Sequence, residues 1–533
     1  MTAPRCFDRD KLPTEICVHI LQFLPAPDLA RCQRVSRGFH ALISASENFQ
    51  SMIKCYLAGV TDIPSSSQPT HERMRKLKEW CCAWRSQEFT ESIIDDISAL
   101  SAAEHYLSRD VLFHRRDDAG THVCTFIQVP SRSRNIPEKR WQLSLTGNIR
   151  GTCVDLSQEL FAVLELEWHL GGVLRVRLLC STTGESHRDA DCSSFTFNSD
   201  FWTTQNRPPA ILHMSISADL LLINIATYRF QNHWTHVFNW KSGVRLITLD
   251  HGSQQSTGHL LDDRRLIFSA QNATTRQWCL GIADCYDAAG WSGNPTAALR
   301  RTALNLEMPT LQDTKYADEA SFTMHVDPYI VTSRISAHYP NLPFHVSHES
   351  RVITISMGIQ GQLENDWLYF VIPMRTILRH LQCAPGSSRS GSPTTEAVTL
   401  PWTEWGEDTR YMGAAHDAAD GHGSRLVTYS ADMTMNPETT VVYKAEFLDF
   451  GLVRHAGSDF NPQTAQIHTT DIREPTSVNS GLLYDAGFLT RSRYERTSTN
   501  ISWPDQLVWG AQFGIGEHSL IIAMGSEFRI YSL

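Results

Sequence analysis

"SISADLLLINIATYRFQNHWTHVFNWKSGVRL" runs from Ser215 to Leu246, and "DLSQELFAVLELEWHLGGVLRVRLLCSTTGESH" runs from Asp155 to His187. Both read as short apolar segments with strand-like alternation, closed by turns. Laying Ser157 on Ser217 brings Glu159-Leu160 onto Asp219-Leu220. Gly184 and Gly243, each in a small-residue turn behind an alternating segment, then fall one residue out of step. A weaker third copy starts at Leu261, runs through Arg265-Leu266-Ile267-Phe268 and ends in Cys279-Leu280-Gly281-Ile282-Ala283-Asp284. Ser519–Met524 and Phe528–Tyr531 make one more hairpin pattern. Self-similarity every ~45–60 residues marks a supersecondary unit that cannot bury its own apolar face and stacks on its neighbours. From about residue 110 the chain is therefore expected to be mainly antiparallel β, with room for about six to eight blades of a β-propeller. A pair of double-sheet sandwiches is the structural alternative.

The turn Trp240-Lys241-Ser242-Gly243 resembles the third-to-fourth strand turn of WD-like blades. No segment carries the full Gly-His and Trp-Asp signature, so the likeness to WD repeats is one of architecture. The Ser-, Gly- and Pro-rich stretch from Ala384 to Thr394 reads as a mobile insertion loop, with strand-like material on both sides.

The amino-terminal side differs in kind. "LPTEICVHILQFLPAPDLARCQRVSRGFHALI", residues 12–43, packs three short helical patterns together. Ile16, Cys17, Ile20, Leu21 and Leu24 form one apolar stripe of helical period behind Pro13. Pro25 and Pro27 stop that helix, Asp28 is a candidate cap for the second, and Ser36 caps a third that carries Phe39, Leu42 and Ile43. A segment this small buries a poor fraction of its surface. Its apolar side chains therefore have two uses open to them: a helical corner packed on the rest of the chain, or a face for a partner.

The residues that decide between these are Leu12-Pro13, Glu15-Ile16, Ile20-Leu21, Leu24-Pro25, Asp28-Leu29, Arg31-Cys32, Val35-Ser36-Arg37 and Phe39. In this order and spacing the segment resembles an F-box. The resemblance implies a three-helix module that docks a Skp-family linker protein, and through it a cullin and a ubiquitin-conjugating partner. The implied docking positions are Leu12, Pro13, Ile16, Ile20, Leu24, Leu29, Val35 and Phe39.

Beyond the box, Thr70 is a candidate cap for a helix with Met74, Leu77, Cys81 and Trp84 on one face. Arg73, Arg75, Lys76, Lys78 and Glu79 are expected mostly on its wet side. Leu57-Ala58-Gly59, Glu72-Arg73 and Ala83-Trp84-Arg85 are similar to a linker that follows the box in F-box proteins of mushroom-forming fungi. Such a helix would space the box from the sheet domain.

Composition narrows the rest. The chain has 533 residues, 41% apolar and 20% charged, with net charge -10. That balance opposes broad nucleic-acid binding. No run approaches the length of a membrane span, and the start has no apolar run after its basic residues, so no membrane partner and no secretion are expected. The 13 cysteines are odd in number, scattered and without C-x-x-C, which suits reduced thiols in the cytoplasm or nucleus.

Nucleophile-elbow, zincin and P-loop motifs are all missing. His416, Asp417, Asp420 and His422 match no metal-ligand spacing. Asp262 and Asp263 are adjacent and would face opposite ways on a strand. His345 and His348 read as surface histidines of a loop. Arg264-Arg265 and Arg300-Arg301 read first as solvated hairpin residues, and second as a grip for acidic or phosphorylated motifs.

The expected architecture is an α + β multidomain chain. Residues 1–9 form a flexible start, 10–55 the F-box, 56–109 a helical linker, and 110–533 a propeller-like substrate-binding domain. The expected role is a non-catalytic substrate receptor of a Skp-cullin-F-box ubiquitin ligase, with no cofactor and no metal, whose target is a protein, phosphorylated or not. Two rivals stand beside it: an F-box scaffold that acts without ubiquitination, and a carbohydrate-binding propeller that uses some of the 14 tryptophans for stacking.

Overall fold

The computed structural model describes residues 12–63, 66–86, 90–94, 105–108, 111–118, 120–131, 134, 136–167, 173–197, 210–227, 232–254, 256–272, 275–310, 320–327, 342–359, 366–383, 397–413, 417–432, 441–450, 469–472, 476–478, 488–490, 494–503, 512–515, 519–524 and 527–532. Residues 1–9, the 384–394 stretch and His416 lie outside the described residues.

All three expected short helices form, and a fourth joins them. Helix α1 spans Thr14–Leu21 behind Pro13. Helix α2, Ala26–Cys32, begins after Pro25 and takes Pro27 into its first turn, where a missing N–H breaks no helical hydrogen bond. Asp28 lies inside that turn instead of capping it, and pairs with Arg31 at 2.6 Å. Helix α3, Arg37–Ala45, is capped by Ser36, whose Oγ accepts the Phe39 N–H at 3.1 Å. Helix α4, Glu47–Leu57, is capped in the same way by Ser46. Leu21, Leu29 and Ile43 from the first three helices meet Phe49 and Ile53 from α4 in one buried cluster.

Gly59 ends α4 at φ +68, a backbone region that disfavours side chains. Its carbonyl accepts the Ser350 hydroxyl at 2.6 Å and the Ser347 N–H at 2.9 Å. The next residues, Val60–Asp62, pair antiparallel with Phe344–Val346. Helix α5, Thr70–Ser86, then turns back, and Arg73 clasps Asp62 at 2.8 and 2.9 Å. Leu77, Trp80 and Trp84 are buried with Val60, Phe344, Val427, Phe447, Ile515 and Leu520. Arg425 stacks over both rings, 4.2 Å from the Trp80 centroid and 4.6 Å from that of Trp84. Arg73 and Lys76, expected on the wet side, are buried as well, whereas Arg75 is exposed and pairs with Glu72 and Glu79. The helix is bolted to the sheets, not a free spacer.

The β domain is built from seven sheets of four or five strands among the described residues. Sheet 1 contains His105–Ser108, Val111–Asp118, Thr121–Gln128 and Lys139–Thr146, joined in chain order. Sheet 2 repeats that meander with Ile149–Asp155, Leu160–Glu167, Val173–Cys180 and Ser194–Phe197. Sheet 3 uses Ala210–Ser217, Leu220–Ala226, His233–Asn239 and Val244–Gly252, so the Trp240–Gly243 turn does join third and fourth strands. Sheet 4 contains Gly258–Leu260, Arg265–Gln271, Trp278–Asp284 and Leu304–Glu307. Sheet 5 begins at Ala320–Val326, and sheet 6 at Asp417–His422. Gln512–Ile515, Ser519–Met524 and Glu527–Ser532 make three strands of sheet 7. Its fourth is Thr90–Ile94, paired antiparallel with Glu527–Ser532.

Consecutive sheets share their cores. Phe113 and Phe126 of sheet 1 meet Phe161 and Val163 of sheet 2. Leu164 and Val176 meet Ile216 and Phe238 of sheet 3, and Val237 and Leu249 meet Leu266 and Phe268 of sheet 4. Leu280 and Leu306 meet Ile353 and Phe370 of sheet 5, and Val352 and Val371 meet Leu426 and Leu448 of sheet 6. The strands 105–108 and 512–515 lie in contact, which brings sheet 7 back to sheet 1. Face-to-face meanders in a closed ring are a β-propeller. Its strands start at Thr90, ahead of the expected boundary at 110.

A buried polar network fastens sheet 3 to sheet 4. Thr235 donates its hydroxyl to Asn224 Oδ1 at 2.7 Å and accepts the Gly258 N–H at 2.9 Å, while the Asn224 amide donates to the Gly258 carbonyl at 2.9 Å. With its proton so used, Thr235 meets His251 Nε2 at 3.0 Å as an acceptor, so that nitrogen carries the hydrogen. Burial pushes the His251 ring down from 6.5 to about 3, and nearby His233 acts in the same direction. His236 falls to about 3 and His213 to about 4, also chiefly through burial.

Two outcomes are expected. Trp80→Ala should destabilise the protein by about 3–5 kcal/mol in denaturant unfolding, because the sheets around α5 cannot collapse into the space. Stability should be full above pH 6.5 and fall as pH drops toward 3, since the unfolded chain takes up protons that the fold refuses. His251 alone should contribute a loss of about 2 kcal/mol by about pH 5, and His251→Gln should flatten the slope of denaturant midpoint against pH.

Candidate partner-binding surfaces

Helix α1 carries two apolar rows, not one. Cys17 and Leu21 face inward and are 5% and 3% exposed. Ile16 and Ile20 face out at 45% and 48%, and Phe23, just past the helix end, stands at 76%. Residues 16, 20 and 23 follow i, i+4, i+7 spacing, so they share a helical face. Val35, between α2 and α3, is 72% exposed. The large apolar side chains exposed among the described residues are Ile16, Ile20, Phe23, Val35, Leu212, Val244 and Tyr286. Four of these seven fall within residues 16–35.

The expected docking residues divide accordingly. Ile16, Ile20 and Val35 are exposed, as is Pro13, and Leu12 is half-buried. Leu24 and Phe39 are half-buried against the module's own cluster. Leu29 does not reach the surface: it is 0% exposed in the centre of that cluster, and its role is corrected to internal packing. Phe23 was missed. The stripe through Ile16, Cys17, Ile20, Leu21 and Leu24 merged two adjacent rows, and separating them by strict i, i+4, i+7 spacing would have found it.

Other candidates resolve into internal contacts. Arg264 donates to Asp284 at 2.9 Å and Arg265 to Asp262 at 3.0 Å. Asp262 also accepts the N–H groups of Arg264 and Arg265 at 2.9 and 2.7 Å, a turn-forming role. Burial and the neighbouring Asp262 raise the Asp263 carboxyl. His345 and His348 are not surface residues of a loop. His345 is buried in the strand paired with Val60–Asp62, and burial, aided by Arg351 and Arg265, lowers His348 to about 3. Trp80, Trp84, Trp240, Trp278, Trp291, Trp402 and Trp405 are buried, which removes them as sugar-stacking platforms. Among the described residues no group of three or more His, Cys, Asp or Glu gathers to hold a metal, and no helix is long and apolar enough to cross a membrane.

The outward row on α1 belongs to a recognised module, for residues 10–52 match the F-box-like family. This segment is an F-box-like domain. Among curated proteins no relative matches the sequence. Similar solved structures include the WD40 domain of Toxoplasma gondii coronin, at 7% identity and TM-score 0.32, covering 78% of this chain and 87% of that one. The Dos1 propeller is 10% identical with TM-score 0.32, covering 79% and 74%. Drosophila Semaphorin 2a is 8% identical with TM-score 0.29, covering 72% and 74%. The propeller assignment rests on the ring of meanders itself. The F-box-like domain thus leaves one apolar row of α1 uncovered and uses the other to hold itself together.

Truncation separates these rows. Leu29→Ala should cost about 2–5 kcal/mol of stability. Phe23→Ala should stay within about 0.5 kcal/mol of the parent in the same denaturant titration.

Proposed function

We propose that this protein is the substrate-recognition subunit of a Skp-cullin-F-box ubiquitin ligase. The observation that carries this reading is the outward row Ile16, Ile20 and Phe23 on an F-box-like domain. A Skp-family linker protein covers that row and Val35, and connects the chain to a cullin. Burying a large apolar side chain is worth roughly 1.5–3 kcal/mol, and several together must exceed the cost of association before affinity appears. The propeller holds the target protein. Its role is proximity: target and charged conjugating enzyme meet as if in one molecule, and this chain forms and breaks no bonds itself. The Gly59 turn, with Glu72-Arg73 and Ala83-Trp84-Arg85, supports kinship with the fungal proteins whose linker it resembles.

Fixed geometry favours this role. The Gly59–Ser350 hydrogen bond, the Val60–Asp62 strand pairing and the buried face of α5 tie the F-box-like domain to the propeller. A target on the propeller would therefore be presented at a set orientation.

The test is co-purification of the full chain with a Skp-family protein and cullin. The parent should recover both, and Ile20→Asp should recover neither while melting normally, because an exposed position tolerates the charge until a partner desolvates it. Leu24 is less suited to this test, being half-buried against the module's own core. A folded parent that recovers no Skp-family protein overturns the proposal.

A further inference from the structure

Sheets 3, 4 and 6 have a fifth strand, and in sheets 3 and 4 that strand is parallel to its neighbour. Sheet 3 gains Trp291–Gly293 beside Val244–Gly252, and sheet 4 gains Val398–Leu400 beside Leu304–Glu307. These two additions are the parallel pairings among the described residues. Between Trp291–Gly293 and the last regular strand of sheet 4 the chain makes a short helix, Pro295–Ala298, and a helical turn, Leu299–Arg301. These extra pieces and the strand turn at residue 276 enclose an open cleft of about 980 Å³.

The chemistry of its walls is one-sided. The described lining holds five side-chain amides, two threonine hydroxyls and two guanidiniums, Arg276 and Arg300. It holds no carboxylate, on a chain where Asp and Glu number 57 against 47 Lys and Arg. The amides are set in place by the fold. Asn305 accepts the Thr302 hydroxyl at 2.6 Å and donates to the Leu299 carbonyl at 2.8 Å. Gln271 donates to the Arg276 carbonyl at 2.9 Å, and Thr296 donates to the Gln271 carbonyl at 2.8 Å. Arg300 is exposed and has no ion pair or side-chain hydrogen bond with the described residues. It differs in this from Arg264 and Arg265, which are held by carboxylates of their own sheet.

We infer that this cleft docks an acidic peptide, an extended Glu- or Asp-bearing segment of a partner protein. Arg300 takes a carboxylate in the geometry a guanidinium fork favours. Beside it the Asn294 amide nitrogen is a donor and the Gln254 amide oxygen an acceptor, which an extended main chain requires. A pre-set wall lowers the ordering cost of binding. The inference deepens the receptor reading by naming the target chemistry, and it is tested apart from Skp capture.

The experiment is fluorescence polarisation on the full chain with three probes: a labelled Glu-Ser repeat peptide, its Gln-Ser counterpart, and free glutamate as competitor. The Glu-Ser peptide should bind, with affinity falling as salt rises. The Gln-Ser peptide should bind about tenfold more weakly or worse, and Arg300→Glu should weaken Glu-Ser binding about tenfold or more at unchanged melting temperature. Equal binding of both peptides, no effect of Arg300→Glu, or no binding by the folded chain overturns the site. Free glutamate competing as well as the peptide assigns the cleft to a small molecule and overturns the peptide. If peptide binding holds while Skp capture fails, the ligase reading falls and the site stands; the opposite pair of results removes only the site.

Discussion

Arg425 lies over the faces of both Trp80 and Trp84, and its Nε approaches the Asp449 carboxylate at 3.4 Å. A buried guanidinium needs such company, and stacking on aromatic faces in a dry site contributes about 2 kcal/mol or more. This small assembly sits where α5, sheet 6 and sheet 7 converge. The helical arm, the strand that follows it and the returning strands of sheet 7 all take their positions from that point. With the Val60–Asp62 strand pairing and the Gly59–Ser350 hydrogen bond, it makes the F-box-like domain and the propeller one body.

The economy of the helical module follows from its size. It has few large side chains, and its core uses Leu21, Leu29, Ile43, Phe49 and Ile53. Adding α4 relieves the shortage, because Phe49 and Ile53 fill space that the first three helices leave open. That relief allows Ile16, Ile20, Phe23 and Val35 to remain outside. A module that held itself together with three helices alone would need those residues for its own core.

How much of this was legible in the sequence depends on the range of the interactions. Alternation and turns are local, so the meander around Trp240 and the hairpin at Ser519 could be read directly. The face α5 buries could not. Met74, Leu77, Cys81 and Trp84 make a plausible stripe, but the partner surface turned the helix toward Trp80, and Met74 and Cys81 end half-buried. Burial of Arg73 was equally hidden, since it depends on Asp62 across a turn. In the F-box-like domain the family pattern located the module, yet it did not say which apolar residues look inward, so it set Leu29 on the outer face and passed over Phe23. The cleft draws on described residues from 254 to 399, a grouping no linear pattern displays.

The pairing of Thr90–Ile94 with Glu527–Ser532 sets an order of events on the ribosome. Domains fold as they emerge, so the F-box-like helices are complete long before sheet 7 can form. Until the strand 527–532 has been synthesised, the strand at 90–94 has no neighbour, and Trp80 and Trp84 lack the cover of Ile515 and Leu520. A chain stopped before residue 512 would carry finished F-box-like helices beside an open strand edge and partly uncovered indoles, features that chaperones and proteases recognise. Ring closure therefore waits for residues 512–532, and these surfaces are covered only once that segment has been made.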